Sequence, residues 1–321
     1  MTRTLFEKLH DNRIMRVAKR AAVRTLASWR HSCSYLNSHF DGLDDAGKNG
    51  YYHRYAKIFW NPGIRFGGGT WNLHFLDKLI KLPLRPEQSR HDWDVALSIL
   101  GHDIEIKTTY RNLLLSDERP EIFFDVGANY GTHSLLFAAA GVPTTSFEPN
   151  PHCRPAFDDM ANLNGLRVDW EAVAIGADHG ELELVFPPGE TWLGTVVGSV
   201  AHDIRRDHAD FLVERVRMRK LDDYAERARG KRTLIKIDVE GGEAAVLKGA
   251  SALLRQSRPK IIFESNDRGA RAELAALLGE HGYAITRLPW PNNQTPALSE
   301  SDFRSSIETN FLARPHETGS A

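Results

Sequence analysis

The stretch from Ile122 to Thr132 constrains the fold of this chain more than any other. Its first residues, Ile122 to Phe124, form an apolar run that is typical of a fully buried strand. Glycines 127 and 131 then mark a tight turn, and the apolar segment from Thr132 to Ala140 predicts a helix. A buried strand that leads through a glycine turn into a helix N-terminus is typical of a nucleotide-type site on an α/β sheet.

The details of this turn narrow the class of ligand. It lacks the third glycine of a dinucleotide fold and the lysine that follows the glycines of a P-loop. Asp125 ends the strand, where a pyrophosphate site would avoid a carboxylate, so a ligand with a cationic amine fits better. The Asp-Val-Gly-Ala-Asn-x-Gly turn at 125–131 resembles the first motif of S-adenosylmethionine (SAM) methyltransferases of the seven-stranded, doubly wound type. The alternative is a tight strand-to-helix connection that binds no ligand.

Beyond Glu121, apolar strands alternate with amphipathic helices, which predicts a mostly parallel sheet covered on both faces. The fold class that we predict is α/β: a doubly wound, mostly parallel seven-stranded sheet, Rossmann-like, as in class I methyltransferases. Residues 119–321 would form this SAM-binding domain. Residues 1–118 would form an N-terminal, partly helical extension that could cap the site. The strands are expected at 122–125, 142–147, 168–175, 234–239, 260–263, 283–288 and 309–313.

Acidic residues end three of these strands: Asp125, Glu148 and Asp238. Ligands of open parallel sheets bind at the carboxyl ends of the strands, so all three acids should reach one crevice. Glu148 is placed to accept hydrogen bonds from two ribose hydroxyls, and Asn150 could add a donor. Each acid could instead cap a helix, but three acids at one sheet end, with the glycine turn, favour a nucleotide-like ligand.

A second group of motifs lies in the C-terminal half of the chain. The motifs are Leu-Asp-Asp at 221–223, Lys-Ile-Asp-Val-Glu-Gly-Gly-Glu at 236–243, Leu-Lys-Gly-Ala at 247–250, and Arg-Pro with an apolar strand that ends in Glu at 258–264. Together with the 125–131 turn, and in the same order, these motifs resemble the FkbM family of SAM-dependent methyltransferases. The resemblance covers about residues 121–315 and leaves the first hundred residues unexplained.

This resemblance implies both a cofactor site and a reaction. It implies O-methyl transfer from SAM, commonly onto a hydroxyl of a sugar, glycolipid or natural product, so that the partner is a small-molecule or glycan acceptor. Asp238 and Glu240 match the family positions nearest the reaction. The predicted cofactor-binding residues are Asp125, Gly127, Asn129, Gly131, Glu148 and Asn150.

A hydroxyl acceptor needs its proton removed as the new bond forms. Asp238 is our first candidate for this base, and Glu240 and His133 are the other two. Asp238 could instead orient the sulfonium or cap the next helix, and His133 could be a surface residue. Acids at 238–243 also raise the alternative of a bound Mg²⁺. Since Glu243 suits the first turn of a helix, we assign no residue to a metal.

The N-terminal segment is basic. Met15, Ala18, Ala22 and Leu26 recur at helical spacing among arginines and lysines, which predicts an amphipathic helix. Such a helix can lie on an anionic membrane surface or a partner, or it can pack on its own domain. We favour the second interpretation because the apolar stripe is weak and half of it is alanine.

The remaining N-terminal segments carry weaker signals. Residues 37–70 are rich in glycine and aromatic residues and predict irregular structure. Residues 71–82 predict a helix that ends at Pro83, and residues 104–115 predict extended structure. Residues 187–208, with Trp192 and Gly194, predict a loop or lid.

Bulk properties exclude several classes of protein. A formal net charge of −1 over 321 residues gives no reason to expect nucleic-acid binding. Two widely separated cysteines favour reduced thiols over a disulfide framework. We see no signal peptide or apolar stretch long enough to span a bilayer, so we expect a cytoplasmic enzyme. The alternatives are a nucleotide-dependent oxidoreductase on the same sheet and a non-catalytic SAM-binding module.

Overall fold

The computed structural model describes residues 13–60, 65, 68–187, 210–292 and 295–316. The chain divides into two compact units, residues 1–104 and 105–321. The division lies earlier than the expected boundary at residue 118, so the last part of the expected extension packs with the second unit. The predicted lid at 187–208, including Trp192 and Gly194, lies outside the described residues except for Pro187. In the part of the chain that is described, no helix has both the length and the apolar character to cross a membrane.

The first unit combines helices with one β-hairpin. Two predictions fail here, because 37–55 is largely helical and 71–82 forms the hairpin. In the hairpin, Trp71, Leu73 and Phe75 are buried at alternate positions, a period-two pattern that the sequence also permits. The elements are α1 (Arg13–Ala27), α2 (Arg30–Asp41), α3 (Asp45–Tyr55), β1 (Gly69–Phe75), β2 (Lys78–Leu84) and α4 (Ser89–Gly101), with 3₁₀ turns at Ala56–Phe59 and Pro86–Gln88.

The second unit is built on a seven-stranded sheet, and this confirms the predicted fold class. The strand order is β11-β12-β10-β9-β3-β4-β5. The five strands from β10 to β5 are parallel, and β12 runs antiparallel to both of its neighbours. The strands are β3 (Ile122–Val126), β4 (Thr144–Phe147), β5 (Asp169–Glu171), β9 (Thr233–Ile237), β10 (Lys260–Glu264), β11 (Tyr283–Arg287) and β12 (Asn310–Pro315).

Helices and a second, smaller sheet complete this unit. The predicted third strand at 168–175 splits in two: its start is the edge strand β5, and its end is β6 (Ala174–Ile175). Strand β6 joins β8 (Leu212–Arg219) and β7 (Gly180–Phe186) in the small sheet. The helices are α5 (Ile104–Leu115), α6 (Thr132–Ala139), α7 (Arg154–Leu163), α8 (Ala225–Ala228), α9 (Glu243–Lys248), α10 (Ser251–Gln256), α11 (Arg271–Glu280) and α12 (Glu300–Ser305), with a 3₁₀ turn at Leu221–Tyr224.

Helix α5 corrects the prediction of extended structure at 104–115. Its β-branched residues favour a strand locally, but Ile106, Tyr110, Leu113 and Leu114 are buried at helical spacing. The Tyr110 ring packs edge-on against Phe137, with 4.7 Å between ring centroids. Tertiary burial of one helix face therefore outweighs the local strand preference.

The central strands β3 and β9 are buried along their whole length. Such runs are typical of parallel strands that are covered on both faces. Because β10, β9, β3 and β4 are adjacent and parallel, their carboxyl ends meet at one edge of the sheet. This edge carries the turn at 127–131 and the acids at 148, 238 and 264.

Candidate functional site

A cavity of about 170 Å³, partly open to solvent, lies at the carboxyl edge of the sheet. Polar groups come from the ends of β3, β4 and β9, and apolar groups come mainly from the small sheet. The polar wall includes Gly127, Asn129, Glu148, Asn150, Asp238 and Glu240, and the apolar wall includes Phe147, Val173, Ile175, Leu182, Leu184, Met218 and Val239.

The turn after β3 depends on glycine at two positions. Gly127 has φ +78°, and a Cβ atom there would lie 1.8 Å from the carbonyl oxygen of Asp238. Gly131 has φ +70°, and its Cβ would lie 2.1 Å from the Phe157 ring. Gly127 therefore lets the end of β9 approach the turn beside the cavity. Gly131 instead permits packing on α7, and it is not among the described residues that line the cavity.

We expect Gly127→Ala to destabilise the protein by about 1–3 kcal/mol more than Gly141→Ala. Gly141 is a matched control, because it shares φ +78° but a Cβ atom there would have no neighbouring atom within 4 Å. Both variants carry the same left-handed strain, so the difference isolates the clash with Asp238. Free energies of unfolding from urea titration measure it. Equal values for the two variants would contradict the close approach.

Glu148 is the most strongly held of the predicted cofactor residues. Its Oε2 accepts a hydrogen bond from the backbone N–H of Asn129 and its Oε1 one from that of Asn150, both at 2.7 Å. Burial raises the pKa of Glu148 to about 7, although the two N–H donors act in the opposite direction. The carboxylate is thereby fixed in the cavity wall with lone pairs left for a ligand.

Asn150 provides an unsatisfied donor in the same wall. Its Oδ1 accepts a hydrogen bond from the backbone N–H of His152. Its Nδ2 is buried and has no hydrogen-bond partner among the described residues. Because buried polar groups in folded proteins are almost always paired, this amide is a candidate donor to a bound ligand.

Two other predicted residues lie elsewhere. Asp125 is fully buried, and its Oδ2 accepts hydrogen bonds from the backbone N–H and the hydroxyl of Ser134, at 3.0 and 2.7 Å. It thus anchors the start of α6. His133 Nδ1 lies 2.9 Å from the Tyr110 hydroxyl. Among the described residues, neither Asp125 nor His133 lines the cavity.

Three carboxyl groups meet at the cavity edge. Asp238, Glu240 and Glu264 each offer an oxygen within 4.8 Å of the others. The ammonium of the buried Lys236 lies 2.9 Å from Asp238 Oδ2. Burial opposes the charge on Lys236, but the carboxylates of Asp238 and Asp125 outweigh it and raise its pKa. Lys236 therefore remains a cation that compensates part of the acidic charge.

The close approach of these three carboxyl groups raises the pKa of two of them. Burial and the nearby Asp238 raise the pKa of Glu240 to about 7 and that of Glu264 to about 9. Glu264 also forms a hydrogen bond with Asp238, which two ionised carboxylates could not share. Glu264 is thus a neutral acid near pH 7, and Asp238 holds the charge that faces Lys236.

Lys236 and Glu264 were missed as site residues by the sequence reasoning. Glu264 has the same sequence feature as the other acids, because it ends an apolar strand. Phe263 pairs with Ile237 in the sheet, so the ends of β10 and β9 lie side by side. Of the acids at 238–243 that raised the alternative of a bound Mg²⁺, Asp238 and Glu240 lie in this cluster and Glu243 does not. Glu243 Oε1 accepts a hydrogen bond from the backbone N–H of Gly241 at 3.1 Å, so it caps the turn, and Glu264 takes its place in the cluster.

Comparison with known proteins identifies the family. Residues 125–285, half of the chain, match the profile of the methyltransferase FkbM domain. The chain is 29% identical over 191 residues to the 31-O-demethyl-FK506 methyltransferase FkbM of Streptomyces tacrolimicus, over 51% of this chain and 73% of that protein.

Two solved methyltransferase structures also align with part of the chain. A methyltransferase FkbM from Methylobacillus flagellatus aligns with a TM-score of 0.38 and 16% identity, over 72% of this chain and 55% of that one. A SAM-dependent methyltransferase from Agrobacterium tumefaciens aligns with a TM-score of 0.37 and 13% identity, over 77% and 70%.

The matched region contains the glycine turn, Glu148 and the acid cluster at 238–264. The family match therefore confirms the predicted family, and it includes the segment that forms the cavity. The chain belongs to the methyltransferase FkbM family, and it is a methyltransferase whose cofactor is S-adenosyl-L-methionine.

Proposed function

We propose that this enzyme transfers a methyl group from SAM to a hydroxyl group of a sugar, glycolipid or natural product. The observation that carries the proposal is Glu240, a carboxylate with a pKa of about 7 in the same cavity wall as Glu148. A base with that pKa suits the removal of a hydroxyl proton near neutral pH. The Streptomyces relative, whose name describes methylation at an oxygen, supports this choice of acceptor.

The residues of the cavity suit SAM. Glu148 can accept hydrogen bonds from the ribose hydroxyls, and the unsatisfied Nδ2 of Asn150 can donate to the nucleoside. Leu182, Leu184 and Met218 offer an apolar surface for the adenine ring. The cavity thus combines a polar and an apolar wall, as a nucleoside requires.

The bound cofactor supplies an electrophilic methyl group with a good leaving group, so the protein must mainly align and deprotonate the acceptor. We assign the proton transfer to Glu240, which accepts the hydroxyl proton as the acceptor oxygen bonds to the methyl carbon. Asp238, our first candidate from the sequence, is paired with Lys236 at 2.9 Å. That ion pair engages Oδ2 of Asp238, so this oxygen is not left to the acceptor hydroxyl.

The proposal is tested in two steps. Calorimetry with SAM, S-adenosylhomocysteine and NAD should show binding of the first two and none of NAD. Incubation with SAM and panels of hydroxyl, amine and thiol acceptors should then give a methylated product only from hydroxyl compounds, with one S-adenosylhomocysteine per methyl transferred. Methylation of amines or thiols instead would contradict O-methyl transfer, and SAM binding without any transfer would favour a non-catalytic module.

A further inference from the structure

Helix α1 (Arg13–Ala27) leaves its apolar stripe uncovered. Met15, Ala18, Ala22 and Leu26 are separated by three, four and four residues and lie on one side of the helix. All four are exposed, Met15 by 43% and Leu26 by 40%. The contact of this helix with its own domain is therefore not made through the stripe.

The helix does pack on its own unit, but through another face. Ala27 is fully buried, and Ala21, which is half-buried, lines a groove together with Lys57 and Ile58. This contact fixes the orientation of α1 within the first unit. The apolar stripe thus stays exposed although the helix is packed on its unit.

Two exposed aromatic side chains follow the helix in the sequence. Trp29, in the connection to α2, is 71% exposed, and Tyr35 in α2 is 69% exposed. Exposed tryptophan and tyrosine are characteristic of the boundary between water and lipid, where one end of the side chain is apolar and the other is polar.

The charge around this surface has one sign. Residues 12–40 contain no acid, whereas residues 13–30 contain five arginines and one lysine. Arg16 and Arg20 are exposed on the helix, and Arg30 is exposed after it. A helix that carries cations and no acids beside an apolar stripe has the arrangement of helices that lie in the interface of an anionic bilayer.

The same charge argues against other occupants. A second copy of the chain meeting this surface would bring arginines against arginines, with no acid in the segment to offset them. A nucleic acid would use the arginines but would leave Met15, Leu26 and Trp29 in water. An anionic lipid surface satisfies both the cations and the apolar stripe.

We propose that α1 together with Trp29 is an interfacial anchor that holds this methyltransferase on membranes rich in anionic lipid. The apolar stripe enters the boundary between headgroups and acyl chains, and the arginines contact the lipid phosphates. The anchor is independent of the acceptor and of the catalytic residues proposed above.

Sedimentation of the full chain with lipid vesicles tests this inference. We expect binding to vesicles of phosphatidylcholine with phosphatidylglycerol, at least tenfold weaker binding to phosphatidylcholine alone, and weaker binding when salt is raised to about 1 M, which shortens the screening length to about 3 Å. The variants Met15→Ser/Leu26→Ser and Arg16→Glu/Arg20→Glu should each reduce binding at least tenfold.

Matched control variants distinguish binding through α1 from non-specific binding to vesicles. Ile307→Ser removes an apolar side chain that is 84% exposed elsewhere, and Arg229→Glu reverses an exposed charge; both should bind as wild type. Circular dichroism melts confirm folding of each variant. The proposal would be overturned if the protein bound neutral and anionic vesicles equally, or if the α1 variants bound as wild type. It would also be overturned if the protein bound no vesicles but self-associated in a way that Met15→Ser/Leu26→Ser abolishes, or if it bound nucleic acid and this variant retained that binding.

Discussion

Replacement of Glu240 by glutamine should reduce turnover by about 10²–10⁴-fold, the usual contribution of a positioned base, and leave SAM affinity close to that of wild type. Glutamine keeps the size of the side chain but cannot accept the hydroxyl proton. Steady-state rates with a hydroxyl acceptor and calorimetry with SAM measure the two effects separately.

The pH dependence of the rate gives an independent test. The base must be ionised to act, and the pKa of Glu240 is raised to about 7. The wild-type rate should therefore rise as the pH increases toward about 7 and then level off. Glu240→Gln should lose this rise.

Asp238→Asn is the informative comparison. It removes the partner of Lys236, so a slower reaction is expected. The rise of the rate with pH should persist because Glu240 is intact, but at a lower pH, because the charge of Asp238 no longer raises the pKa of Glu240. If the rise is lost in Asp238→Asn and kept in Glu240→Gln, the proton goes to Asp238 and our assignment is wrong.

Replacement of Glu148 by alanine should weaken SAM binding by about 10- to 100-fold, which corresponds to the loss of hydrogen bonds to a charged group. Glu148→Gln should also weaken binding, because both carboxylate oxygens accept backbone N–H groups. The amide NH₂ of glutamine would face one of these donors, and the turn would have to rearrange. Calorimetry with SAM and S-adenosylhomocysteine gives both affinities.

Glu171→Ala is the matched control for this experiment. Glu171 also ends a strand of the sheet, but its Oε1 pairs with Arg227 at 2.9 Å, and it is not among the described residues of the cavity wall. SAM affinity should be unchanged in this variant. Affinity in Glu148→Ala equal to that of wild type would refute the ribose role, and thermal melts would show whether the variant is folded.

The sequence predicted the sheet of the second unit well, because its central strands consist mainly of short apolar runs. Such runs are compatible with burial on both faces and little else, so β3, β9 and β10 could be placed from local pattern alone. The glycines at 127 and 131 also marked the turn from local sequence alone. Both have positive φ angles, which favour glycine over other residues. The family motifs then gave the cofactor.

Segments with two possible periods were not predictable in this way. Residues 71–82 satisfy a helical and an alternating pattern, and residues 104–115 combine β-branched residues with helical spacing. Which face becomes buried depends on neighbours that are distant in the sequence, such as Phe137 under Tyr110. The local sequence leaves that choice open.

By itself, the sequence determined the strands, the glycine turn and the acids at the strand ends, because hydrophobic period and backbone conformation are local properties. Tertiary structure alone decided which of those acids share a space. Asp125 turned to the start of α6, while Glu264 joined Asp238 because β10 lies beside β9 in the sheet. Electrostatic interactions between carboxylates depend on distance in space, and strand order sets that distance.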